Sequence, residues 1–333
     1  MAALFGAVQL WAGVTPAPAE TTPIVTANSR LGRGINLGNA LDAPAEGAWG
    51  VVLQSEYFQT IRQAGFDSVR LPVRWSAHAG KEPPYTIDPV FAARVDWAIN
   101  QALTSKLNIV VNVHHYEEMD ADPDAHLERL TAIWRQVAER YQTLPNSVYF
   151  ELYNEPHNHF TAEKWNPTIT TILQTVRASN PVRPIIVGPT SWNAIHALDE
   201  LQLPESDQNL IVTVHYYDPF RFTHQGASWI KDANQWPSLA WTGSEAEKTA
   251  VRTDLEKAAR WGREHGRPLF LGEFGAFSKA DIQSRANWTR QVAQEANRLG
   301  ISWAYWEFSS GFGAYDPAAE RWREPLKSAL LVN

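Results

Sequence analysis

The sequence predicts a single (β/α)8 barrel, and three observations carry that prediction. From Arg33 onward, short β-rich apolar runs alternate with longer stretches of helical period. Eight such runs occur, centred on Ile35, Val69, Val110, Phe150, Ile186, Val212, Phe270 and Trp303. Most are spaced by about one βα unit, so eight units consume the chain and leave no residues for a second domain. The length of 333 residues agrees, because a barrel of this kind needs about 250.

Each element has its own local reason. Asn108–Val113 and Asn209–Val214 are rich in β-branched apolar residues, as parallel strands buried on both faces require. Helical period marks Gln54–Ala64, Pro89–Thr104, Ala125–Tyr141, Ala162–Ser179, Ser191–Leu201, Ser244–Glu264 and Asp281–Leu299, and a last helix over Arg321–Leu330 closes the ring. One interval breaks the rhythm: Tyr217 to Gly243 carries Trp229, Trp236 and Trp241 before a helix begins, and long loops of that kind are usually functional. Ala2–Val14 is apolar apart from Gln9 and runs into small residues at Ala17 and Ala19. Residues 1–19 therefore read as a secretory leader, with an extracellular protein expected, although no Lys or Arg precedes the apolar run. Thirteen residues are too few for a bilayer span, which needs about 20. Residues 20–28, with Pro23, read as a flexible linker, which leaves 29–333 as the folded barrel domain.

Composition narrows the function. The 29 basic and 36 acidic residues give a net charge of −7, a balance that repels polyanions and argues against nucleic acid or anionic membrane partners. The lack of cysteine removes thiolate nucleophiles, disulfides and cysteine-based zinc sites. Fifteen tryptophans is a high count, and flat indole faces serve either core packing or stacking on flat ligands. Trp97, Trp134, Trp261 and Trp288 lie in helical patterns and are expected in the core, whereas Trp192, Trp229, Trp236 and Trp306 lie at strand ends or in the long loop. A monomer is expected.

In such a barrel the chemistry lies at the C-terminal ends of the strands. Asn36 and Asn39 follow strand one, Arg70 and Arg74 strand two, His114 and His115 strand three, and Asn154 with Glu155 strand four. Then come Trp192, His215 with Tyr217, Glu273, and Trp306 with Glu307. Glu155 ends the predicted strand Ser147–Asn154 and Glu273 the predicted strand Pro268–Gly272, so two carboxylates face each other across one mouth. Cleaving a glycosidic bond needs a proton donor for the departing oxygen and a second carboxylate at the anomeric carbon. Glycoside hydrolysis is the predicted chemistry.

The motifs Gly34-Ile-Asn-Leu-Gly-Asn-Ala, Arg70-Leu-Pro-Val-Arg-Trp, Asn112-Val-His-His-Tyr, Tyr153-Asn-Glu-Pro, His215-Tyr-Tyr, Gly272-Glu-Phe-Gly and Tyr305-Trp-Glu-Phe, taken in order, resemble glycoside hydrolase family five, the cellulase family. The resemblance is strongest to its branch of thermophilic endoglucanases with additional mannanase activity. It implies a (β/α)8 barrel, a retaining mechanism, no obligatory metal or cofactor, and a β-linked glucan or mannan polysaccharide as substrate. By resemblance Glu155 is the acid/base and Glu273 the nucleophile. Arg70 and Tyr217 are partners of the nucleophile, Asn154 sits at the sugar 2-hydroxyl, and His215 lies beside the acid/base. Asn39, Asp42, His114, His115, Trp192, His224 and Trp306 are expected to bind substrate, with Trp306 as the platform under the sugar at the scissile bond. The Asp42 position carries an acidic group in the closer branch as well. The expected activity is endo-acting cleavage of β-1,4-glucan (cellulose, mixed-linkage glucan, glucomannan) with mannanase side activity. A primary β-mannanase or other β-glycanase is the alternative, and a sugar-binding barrel without chemistry a remoter one.

Three structural roles are expected beside these. Glu151 shares strand parity with Glu155 but lies deeper, where a buried charge must be paired, for instance with Arg70. Glu307 is expected to be structural. Strand alternation turns His114 and His115 to opposite faces, so only one is expected to line the barrel and no metal site is expected.

Overall fold

A computed structural model of the chain describes residues 23–331. Eight parallel strands close into a barrel in sequence order: β1 (Arg33–Asn36), β2 (Ser68–Leu71), β3 (Asn108–Asn112), β4 (Val148–Glu151), β5 (Ile185–Val187), β6 (Leu210–Tyr216), β7 (Leu269–Phe274) and β8 (Ser302–Tyr305). Every predicted strand centre falls inside its strand, because a strand covered on both faces must be apolar throughout and that signal is strong. The outer helices Ser55–Ala64, Pro89–Thr104, Pro123–Arg140, Ala162–Arg177, Glu245–Glu264, Ile282–Arg298 and Glu324–Leu330 match the periodic stretches. Trp134, Trp261 and Trp288 are buried under them, and Trp97 packs at the edge of that core.

Strand alternation sorts the side chains into two cores. Outward residues such as Ile35, Val69, Val111 and Phe150 meet the helices. Inward residues Val110, Tyr149, Ile186, Ile211, Phe270 and Ala304 fill the lower barrel. Above them the inward positions turn polar, with Asn36, Arg70, Asn112, Glu151 and Thr213, all buried. The barrel is thus plugged with hydrocarbon below and floored with charge above, which confines the chemistry to the upper rim.

Three elements differ from expectation. The predicted linker does not hold over its second part: Pro23–Leu31 is a helix that caps the bottom of the barrel, with Ile24, Ala27 and Leu31 packed into the inner core. Its C-terminal half is tied by side chains from the strands, Tyr149 Oη to Ala27 O (2.7 Å), Ser68 Oγ to Leu31 O (2.6 Å) and Ser302 Oγ to Asn28 O (2.6 Å). Pro23 sits at the helix start, where its missing N–H costs nothing. The predicted helix Ser191–Leu201 is instead a left-handed stretch, Ser191 (φ 56°), Trp192 (φ 59°) and Asn193 (φ 56°), followed by a 3-10 helix Ile195–Glu200. The last helix begins at Glu324 rather than Arg321, because Arg321–Trp322 pairs antiparallel with Tyr315–Asp316. The secretory-leader reading of residues 1–19, and residues 20–22 of the linker, lie outside the described residues. Among the described residues no helix is long and apolar enough to cross a membrane.

Candidate active site

Arg70 organises the floor of the mouth. Fully buried in β2, it donates from Nε and Nη2 to Glu151 (2.6 and 2.9 Å), from Nη1 to Asn36 Oδ1 (2.9 Å) and Glu273 Oε1 (2.6 Å), and from Nη2 to Asn154 Oδ1 (2.7 Å). Guanidinium has five N–H donors, and all five are used. Glu151 is the buried counter-ion that its depth demanded. Asn36 locks the second layer by donating to the Gly272 carbonyl at 3.0 Å.

Glu273 lies in β7 and Glu155 four residues beyond the end of β4. The chain past β4 continues to pair, Leu152 N to Ile186 O (3.0 Å) and Asn154 N to Val113 O (2.9 Å), so Glu155 stands on a braced rim. The β6/β7 ladder slips between Val214 and His215: Val214 faces Leu271, but His215 faces Glu273. The extra residue is Gly272, whose added Cβ would lie 2.6 Å from Thr213 Oγ1. A bulge there re-aims the strand, bringing Glu273 and His215 to the same interior face. A carboxylate oxygen of Glu155, a ring nitrogen of His215 and a carboxylate oxygen of Glu273 all lie within 4.8 Å of one another.

The two glutamates have different partners. Glu273 accepts from Arg70 on Oε1 and from Tyr217 Oη on Oε2 (2.8 Å). Glu155 Oε1 meets His215 Nδ1 at 2.6 Å. Burial raises both carboxyl groups, Glu155 to about 7, while the charge of Arg70 and the Tyr217 hydroxyl pull Glu273 back. The pair also repel one another's charge, so the proton they share resides on Glu155, whose direct neighbour is a neutral imidazole rather than a guanidinium. Burial drives His215 down to about 4 and His114 well below the usual imidazole value.

The remaining candidates ring this centre. The Trp306 ring lies parallel to His114 (interplanar 2°, centroids 5.7 Å) and against Gly38, where a Cβ would meet the indole at 2.7 Å. His114 Nδ1 meets Asn112 Nδ2 at 3.0 Å. Contrary to the alternation argument, His114 and His115 lie together at the rim, with ring centroids 4.5 Å apart. Both follow the end of β3, and His115 adopts a left-handed φ of 49°, so strand parity no longer applies. Asp42 also departs from expectation: it is fully buried, and its carboxylate accepts from Asn39 N (3.0 Å) and Ala40 N (2.8 Å), so it shapes the turn that carries Asn39 instead of meeting a sugar itself. Burial raises Asp42 to about 6, and His115 Nε2 stands 3.9 Å away. Asp42, His114 and His115 bring one ligand-type atom each within 4.8 Å. Backbone N–H groups already occupy both Asp42 oxygens and Asn112 occupies His114 Nδ1, which is poor provision for a four-ligand metal site.

Trp192 is 53% exposed and stacks on His157 (4.7 Å). His224 is buried, stacked on Phe220 (4.1 Å) and edge-on to Tyr217 (5.0 Å), so it backs the tyrosine. Trp229 is 58% exposed on Phe277, Trp236 is half-buried near Phe220, and Trp241 is core. Glu307 is structural as expected, accepting from the backbone of Ser309, Ser310 and Phe312. Sequence reasoning missed Asn193, whose amide reaches both Asn154 O and His215 Nε2. Its only signal was a position next to Trp192 in what read as a helix.

The comparisons agree with this architecture. The family model described as cellulase (glycosyl hydrolase family 5) matches residues 33–311. The structure of Thermotoga maritima Cel5A in complex with mannotriose is similar at a TM-score of 0.91, 45% identical, covering 92% of this chain and 100% of that one. Cel5A structures in complex with cellobiose match equally well. Endoglucanase H of Acetivibrio thermocellus is 34% identical over 288 residues, covering 86% of this chain but 30% of the relative, and Endoglucanase B of Clostridium cellulovorans is 30% identical over 298 residues, covering 82% and 66%. The chain thus spans about a third of the length of the former. With the family model covering most of the barrel and the motif residues converging on one mouth, the chain belongs to the cellulase family, glycosyl hydrolase family 5.

Proposed function

We propose that this chain is a secreted, retaining endo-β-1,4-glucanase with side activity on β-mannan. The observation that carries the reading is the approach of Glu155 and Glu273 oxygens within 4.8 Å, with Glu155 beside a neutral histidine and Glu273 held by Arg70 and Tyr217. That approach suits the retaining spacing of about 5 to 5.5 Å better than the inverting gap of about 6.5 to 9.5 Å. In the first step Glu273 attacks the anomeric carbon while Glu155 donates its proton to the departing sugar oxygen. In the second, water attacks the glycosyl ester, Glu155 takes a proton from it, and Glu273 leaves as a carboxylate. Asn154 Oδ1 is held by Arg70, so its amide hydrogens are what it offers a sugar 2-hydroxyl.

Mannan activity is favoured by the mannotriose complex of Cel5A, the solved relative named above. Mannose differs from glucose at C2, the carbon that Asn154 would address. Two measurements test the reading. Glu273→Gln and Glu155→Gln should each lower turnover of β-1,4-glucan by orders of magnitude while the fold is kept, and unchanged hydrolysis in either overturns the assignment. Turnover on carboxymethyl cellulose, barley glucan, glucomannan and galactomannan should be dominated by the glucans; dominance of galactomannan makes it a mannanase.

A further inference from the structure

We propose that Asn193 is a positioning residue that sets the tautomer of His215 and thereby keeps the mobile proton of Glu155 on the oxygen turned away from that histidine. The inference rests on the acid/base reading of Glu155 above.

The argument begins with an amide that cannot turn over. Asn193 is fully buried, and its Nδ2 donates to the backbone carbonyl of Asn154. A carbonyl only accepts, so the NH2 end of the amide must face it. The same Nδ2 stands 3.3 Å from His215 Nε2, which must then be the acceptor. The imidazole, kept neutral by burial, therefore carries its hydrogen on Nδ1. Nδ1–H donates to Glu155 Oε1 at 2.6 Å. With Oε1 engaged as acceptor, Oε2 is the oxygen left to carry a proton. In the first step that proton moves from Oε2 to the departing sugar oxygen as the C1–O bond breaks; in the second, a water proton returns to Oε2. The opposite tautomer would present a bare Nδ1 lone pair to Glu155 and draw the proton away from the sugar.

The fold is shaped around this amide. Ser191, Trp192 and Asn193 are consecutive left-handed residues, a conformation L side chains rarely adopt, and it is what turns Asn193 inward under Trp192. Gly188, which follows β5, leaves the space: a Cβ there would lie 2.1 Å from Asn193 Oδ1. The same device operates once more in the mouth. Asn112 Oδ1 accepts from Val73 N (3.2 Å), which turns its Nδ2 to His114 Nδ1 and leaves the hydrogen of that ring on Nε2. The groups that bear on His215 are Glu155 and Glu151 from β4 and its rim, Glu273 from β7 (3.7 Å), Arg70 from β2 and His114 beyond β3. None of these hydrogen-bonds Nε2; among the described residues its hydrogen-bond partner is Asn193.

The test reads the tautomer and the chemistry separately. In 15N-histidine-labelled protein, two-bond 1H–15N correlations should show His215 protonated on Nδ1, and a wild-type Nε2–H signature overturns the proposal at once. Asn193→Asp replaces the donor by an acceptor and should move the hydrogen to Nε2. Asn193→Gly, suited to the left-handed backbone, deletes the amide with folding kept and should give mixed tautomers. For both variants kcat/KM on cello-oligosaccharides should fall roughly tenfold to a hundredfold, within the range general acid catalysis supplies. On 2,4-dinitrophenyl β-cellobioside, whose leaving group needs no proton, it should fall far less. Equal losses on the two substrates assign Asn193 a merely structural role and overturn the proposal. Glu155→Gln, run in parallel, must show the same leaving-group split; if it does not, the acid/base reading fails, while the tautomer result still decides the contact.

Discussion

At the residue scale, the mouth is governed by how one proton is divided between two largely buried carboxyl groups. Glu155, raised to about 7 by burial, holds its proton below that pH and can act as the acid. As pH rises through about 7 the proton is lost and glycosylation stops, so the alkaline limb of kcat/KM should fall near neutrality. On the proposed roles, the acid limb belongs to Glu273, which must be ionised to attack. Arg70→Lys keeps the charge but not the five-bond fork, leaves Glu151 poorly paired, and weakens what pulls Glu273 down. The acid limb should then move to higher pH and kcat should drop by more than tenfold. A pH–rate profile with both limbs unmoved in that variant would refute the arrangement. The placement of Glu155, Glu273 and Arg70 at the mouth was legible from strand ends and the pairing of Glu151 from strand parity, whereas the bulge at Gly272 that turns Glu273 inward was not. Asp42 and Asn193 were not, because their roles depend on turn geometry: a buried carboxylate capping two N–H groups, and a left-handed stretch that reads as helix.

At the scale of elements, the strands were legible because burial on both faces leaves an unbroken apolar run, and the outer helices because their period is long. The floor helix Pro23–Leu31 was hidden by its composition. With Pro23, Thr26, Asn28 and Ser29 in nine residues, its polarity resembles a linker, and what makes it a helix is tertiary: three strand side chains bond its last carbonyls and the inner core takes Ile24, Ala27 and Leu31. Helices this short depend on such packing. Leu31→Ala should therefore lower unfolding free energy by about 2 to 5 kcal/mol, the usual range for a buried Leu→Ala change. Because the floor lies at the strand N-termini, opposite the mouth, KM below the transition should stay at the wild-type value. Denaturant unfolding alongside substrate kinetics checks both; a raised KM with intact stability would mean that the floor communicates with the site.

At the scale of the whole molecule, strand order decides where a polymer can lie. In a closed eight-stranded barrel β1 and β5 stand on opposite sides, as do β4 and β8. Trp49 and Trp306 follow β1 and β8, Trp229 leans from the loop after β6 over Phe277 and Phe312 beyond β7 and β8, and Trp192 follows β5 on the far side. Trp49, Trp192 and Trp229 are all exposed, and Glu155 and Glu273 rise from the rim past β4 and from β7. Aromatic faces on both flanks of the reacting pair suit a chain that crosses the mouth and continues on either side, which means cutting internally. Cellohexaose should then give cellotriose and cellotetraose among its first products, and the viscosity of carboxymethyl cellulose should drop well before reducing ends accumulate. Trp192→Ala and Trp306→Ala should weaken opposite halves of the chain: the first shifts which internal bond is cut by loosening the leaving side, since Glu155, the proposed donor to the leaving oxygen, lies past β4 on the side of β5. Early release of cellobiose alone from cellohexaose, with viscosity and reducing ends changing in step, would mean the polymer is threaded from one end, and the two-flank arrangement would then have no role in positioning it.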